Sequence, residues 1–172
     1  PSEQGGSRFV FPRMNSEPVP PSDTDRANPK STASIFGHPI HPMLVPFPIT
    51  CFIGALITDI AYTQSANVQW VNFSVWLITA GLVMGGLAAL AGLTDFFGDR
   101  RVRAARPALP HMLINIIVMI LELFNAFVHS RDGWTSVVPT GITLSIVSVL
   151  LLGVSGWLGG SLVYKHRVGI SR

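Results

Sequence analysis

The sequence predicts an all-α integral membrane protein, four transmembrane helices in a bundle with both termini cytoplasmic, preceded by an extended proline-rich arm. Three observations predict it. Charged residues make up only 12% of the 172 residues and hydrophobic ones 48%, against about 25% charged in ordinary soluble domains. Four apolar runs, at about 43–62, 71–97, 109–128 and 137–164, each supply the roughly 20 residues needed to cross a hydrocarbon core of about 30 Å. Basic residues are distributed unevenly. Arg100, Arg101, Arg103 and Arg106 fill the connection between the second and third spans, and Lys165, Arg167 and Arg172 follow the fourth, whereas Thr63–Trp70 carries no charge. By the positive-inside rule the arginine loop and the C-terminus are cytoplasmic, and four spans return the N-terminus to the same side.

Residues 1–37 hold six of the thirteen prolines, balance basic against acidic residues, and show no helical or strand period. Such a segment cannot bury a core. It reads as a cytoplasmic arm or linker with one apolar anchor, Arg8–Phe11, ahead of a membrane domain over 38–170.

The first span opens with Pro39, Pro42, Pro46 and Pro48 around His38 and His41. Proline removes an amide donor and disfavours helical geometry in the residue before it. The expectation is therefore a regular helix beginning near Pro48, with Met43–Phe47 extended and buried among the other helices, carrying His38 and His41 inward. Cys51, the single cysteine, has no partner within the chain and reads as a small packed hydrophobe.

Small residues punctuate the second span (Gly81, Gly85, Ala89, Gly92) and the fourth (Ser155, Gly156, Gly159, Gly160). Spacing of this kind lets helix backbones approach closely, so spans two and four are expected to form the close pair, or else a seam between two copies. Within the third span Glu122 shares a face with Asn115 and Asn125, and Asp59 lies toward the outer end of the first. Ionisable groups at such depth face inward and are paired or protonated, which suits either a helix contact or a proton path. His129 reads as an outer-surface residue beside an aromatic anchor, Trp134.

At the cytoplasmic level, His38 and His41 from span one meet Asp95 from the end of span two and His111 from the start of span three. Imidazoles ligate transition metals and b-type haem, and bundle cores are where such sites are built. The candidate metal ligands are His38, His41, His111 and Asp95. A haem b held by the same histidines would find Arg100 and Arg101 placed for its propionates. Nothing in the chain matches a nucleotide loop, an HExxH or a paired CxxC. No serine or cysteine has an evident base beside it, which argues against a hydrolase. The arginines mark topology rather than a nucleic-acid patch, despite an isoelectric point near 9.6.

The stretches GHPIHPMLVPFPI, GLTDFFGD, ALPHMLIN and GGSLVYKHRVGI together resemble a bacterial family of predicted membrane proteins, domain of unknown function 2231. The matching positions run from Gly37, His38, Pro39, His41 and Pro42 through Asp95, His111 and Asn115 to Gly160, Leu162, Val163, Tyr164 and Gly169. Arg167 stands where the family usually has glycine. The resemblance implies a four-span protein of the bacterial cytoplasmic membrane with no established activity. It also implies an association, in some relatives, with Rieske-type iron–sulfur proteins, hence membrane redox chemistry. The expected function is a non-catalytic one, electron transfer through haem b or a transition metal. The alternatives are a cofactor-free accessory subunit and a proton or small-solute pathway through Asp59 and Glu122. The expected partners are the bilayer and either another membrane protein or further copies of this chain.

Overall fold

The computed structural model describes residues 28, 29, 31–131 and 133–170. The Arg8–Phe11 cluster and the rest of residues 1–27 lie outside the described residues, as does the Trp134 side chain. Among the described residues, four helical segments are long and apolar enough to cross a membrane, Ile40–Ser65, Val68–Gly98, Ala108–His129 and Val137–Tyr164.

A two-residue antiparallel ladder, β1 (Ser34–Ile35) with β2 (His38–Pro39), turns the arm into α1 (Ile40–Leu44) and then α2 (Pro46–Ser65). The expected extended stretch over Met43–Phe47 is absent. Helical geometry runs through it, with Val45 itself in the right-handed helical region and bonded to the His41 carbonyl at 3.1 Å. The reason is where the prolines fall: Pro42 is the third residue of α1, and Pro46 and Pro48 are the first and third of α2. First-turn amides have no intrahelical partner, so proline costs little there. Twenty residues of α2 span about 30 Å, enough for the hydrocarbon core.

Ala66 in the left-handed region and Asn67, whose side chain accepts from the Gln69 amide, make a two-residue turn into α3 (Val68–Gly98). Asp99 caps α4 (Arg100–Ala104) by accepting from the Arg101 amide. The chain then enters α5 (Ala108–His129), with Pro110 again in a first turn. The short α6 (Gly133–Ser136) and a π-type turn, Val137–Gly141, kinked at Val138, lead to α7 (Ile142–Tyr164).

The helices form two hairpins, α2–α3 and α5–α7, packed against each other through α3 on α5 and α2 on α7. Helices α3 and α7 are therefore diagonal, which corrects the expectation that spans two and four pair closely. Their glycines instead make room for neighbouring side chains. A Cβ at Gly81 would overlap the Phe52 ring, one at Gly85 would stand 2.7 Å from Met119 Sδ, and one at Gly92 2.9 Å from His41 Nδ1. Between the hairpins the apolar core is thin, with Phe52, Val118 and Leu152 at mid-height and Tyr62, Val71 and Val137 toward the end away from the arginines. Many large hydrophobic side chains point outward, Trp76, Leu90, Leu150 and Trp157 among them, as lipid-facing surfaces require.

Candidate functional site

From the arginine end down to the mid-height core of Phe52, Val118 and Leu152 the hairpins part around a cavity of about 1080 Å³. His41 lines it from the first hairpin and His111 from the second, their ring centroids 6.1 Å apart and their planes at 85°. His41 Nδ1 lies 2.7 Å from the Ala88 carbonyl and His111 Nδ1 3.0 Å from the Ser155 carbonyl. A carbonyl only accepts, so Nδ1 is the donor in both, and the neutral form of either ring has its lone pair on Nε2. Asn115 stands over the His111 ring, but its amide protons have better acceptors in the His111 carbonyl at 2.8 Å and Ser155 Oγ at 2.7 Å. Glycine makes both placements sterically workable: a Cβ at Gly159 would come within 3.0 Å of His111 Cε1, as one at Gly92 would crowd His41.

The other residues singled out from the sequence do not join this pair. His38 is exposed on β2 and does not line the cavity. Asp95 does line it, but the carboxylate is engaged with the arm, accepting from the Ala33 amide at 2.7 Å and from Ser31 Oγ at 2.9 Å. Among the described residues, no three His, Cys, Asp or Glu side chains come close enough to hold a single metal ion. Arg100 and Arg101 sit exposed on α4; Arg101 pairs with Asp99 at 3.5 Å and borders a smaller pocket with Arg106 and His166. The described part of the arm is tied to its own bundle, since the Gly169 amide donates to the Pro29 carbonyl and the Asn28 side chain to the Ile170 carbonyl. Arm and C-terminus thus meet over the cavity, where Ser31, Pro39 and Gly169 complete its lining.

A second polar cluster, missed as a unit from the sequence, closes the far end. Asp59 of α2 is fully buried and takes three donors: Ser74 Oγ of α3 at 2.6 Å, Ser145 Oγ of α7 at 2.7 Å and His129 Nε2 of α5 at 2.9 Å. His129 is no surface residue. It is 2% exposed, and its Nδ1 faces the Asn125 carbonyl at 3.1 Å. Gly141 in the turn before α7 passes against the ring, where a Cβ would be 2.6 Å from Cε1. Asn125 extends the network to Ser145 Oγ at 3.0 Å and to Glu122 Oε2 at 3.3 Å. The available signal was spacing: 122, 125 and 129 share one face of α5, and 145, 148 and 155 one face of α7.

The model of the family described as "Predicted membrane protein (DUF2231)" matches residues 37–172. The chain belongs to this family. Neither a curated protein nor a solved structure matches it. The DUF2231 match covers both polar clusters and all four spans.

Proposed function

We propose that this DUF2231 protein is a membrane electron carrier in which His41 and His111 hold a haem b across the two hairpins. The observation that carries the reading is the imidazole pair: 6.1 Å between centroids, one ring from each hairpin, on a cavity of about 1080 Å³. Two imidazoles each about 2 Å from one metal place their ring centroids roughly 6 Å apart. Binding each Nδ1 to a backbone carbonyl fixes the tautomer and orientation, the usual outer-shell support for a ligating histidine. The same tautomer disfavours a quinone headgroup as the occupant, because quinone oxygens need donors and Nε2 offers a lone pair.

The residues fit this group better than they fit a lone metal ion, since Asp95 is committed to the arm and His38 faces out. Haem supplies one-electron chemistry when bound. The chain's part is to orient two imidazoles, to seat each ring against a glycine, His41 on Gly92 and His111 on Gly159, and to cover the cavity with the arm. Arg100 and Arg101, exposed on α4 at the same end of the bundle, would be the cations offered to its propionates.

Purified protein from a haem-replete host tests this. The expected result is a Soret band with about one haem per chain, lost in both His41→Ala and His111→Ala while His38→Ala retains it. A folded, colourless protein that also fails to bind added haem would overturn the reading in favour of a cofactor-free accessory subunit.

A further inference from the structure

The buried cluster at the far end is not electrically closed. His129 and Asp59 compensate one another at 2.9 Å. Glu122, 1% exposed on the same helix, has no such partner. Asp59 from α2 and His129 from α5 are the charged groups acting on it, while α3 and α7 bring only hydroxyls to the cluster, those of Ser74, Ser145 and Ser148. Asn125 Nδ2 donates to Glu122 Oε2 at 3.3 Å. Ser148 Oγ lies beside the carboxyl and, as a hydroxyl, can donate to it or accept from it, whereas Asn125 Oδ1, whose own amide nitrogen makes that bond, can only accept and has no partner.

An ionised Glu122 can only accept, so it would leave the Asn125 oxygen without a donor and place an uncompensated charge in a medium where that is costly. One added proton removes the charge and supplies the missing donor. We propose that Glu122 is a proton-binding site, its carboxyl holding a proton inside the membrane against Asn125 and Ser148. A metal cation fits less well. Hard cations take about six oxygens, whereas three oxygen-bearing side chains converge here, and the large cavity is lined by Leu123 but not by Glu122. The bound proton belongs to the network that joins the hairpins, because Asn125 also donates to Ser145, and Ser145 to Asp59. Nothing in this depends on a cofactor at the arginine end.

Infrared spectroscopy of the full chain in detergent at neutral pH reads the proton directly. The expected spectrum has a carboxylic-acid carbonyl band above the amide envelope that shifts in D₂O and disappears in Glu122→Gln. Glu3, Glu17 and Glu122 are the only glutamates, and only Glu122 lies in a span, so carboxyl-¹³C glutamate gives the same assignment in wild type should that variant not fold. Absence of the band, or a band that ignores glutamate labelling, would overturn the proposal. So would a band abolished by sodium chloride but not by choline chloride, which would make the occupant a sodium ion.

Discussion

Replacing Asp59 with alanine removes the acceptor on which three helices converge. The substitution strands the Ser74 hydroxyl on α3, the Ser145 hydroxyl on α7 and His129 Nε2 on α5, all in residues no more than 2% exposed. In water-soluble proteins, breaking a buried ion pair by removing one partner costs about 3–5 kcal/mol. Interhelical hydrogen bonds in bilayers average only about 0.6 kcal/mol and reach about 1.7, because helices separated in the membrane find other partners. Three bonds at the upper half of that range give about 3–5 kcal/mol and at the average about 2, so the expected loss for Asp59→Ala is about 2–4 kcal/mol. Asp59→Asn keeps the shape and one acceptor oxygen and should lose roughly half as much. The assay is reversible unfolding in mixed micelles of dodecylmaltoside and increasing dodecyl sulfate, followed by fluorescence of the four tryptophans. The His129→Ala variant should be non-additive with Asp59→Ala by at least about 1 kcal/mol, since both remove the same contact. An Asp59→Ala protein within about 0.5 kcal/mol of wild type would refute the reasoning that this cluster clamps the hairpins.

The glycines of α3 should separate by what their Cβ would meet. Gly81→Ala pushes into the buried Phe52 ring and should lose about 1–3 kcal/mol, whereas Gly86→Ala, with open space around the added carbon, should be neutral or slightly stabilising in the same assay. Asp95→Ala should release the arm by deleting the acceptor for Ser31 and Ala33. Limited proteolysis should then cut within residues 28–39 several-fold faster while the spans stay intact; unchanged cleavage would mean that the C-terminal contacts alone hold the arm.

The four spans were legible because a bilayer imposes a length and a composition that few other structures share. The number of prolines at the entrance suggests an extended stretch, but their positions decide otherwise: each helical one falls in a first turn where its missing amide has little to lose. The pairing of helices was not legible either. Glycine spacing on α3 and α7 signals close approach without saying to what, and here it is to Phe52, Met119, His41 and His111 side chains from the adjacent helices. Of the histidines, 41 and 111 were brought together as their depth suggested, while the turn that directs His38 outward lies in arm geometry that no period encodes. His129 was placed at a surface because it ends its span. Only the fold of Val137–Gly141 over that end, which closes Gly141 against the ring, makes it interior.

The imidazole pair is tested most directly by low-temperature electron paramagnetic resonance of the oxidised, haem-loaded protein. Planes at 85° predict a low-spin ferric signal of the strongly anisotropic type given by mutually perpendicular axial imidazoles, with one line displaced far to low field. That signal should vanish in His41→Ala and in His111→Ala alike. A high-spin signal in wild type, or a low-spin signal that survives loss of either histidine, would contradict a haem held between the two hairpins.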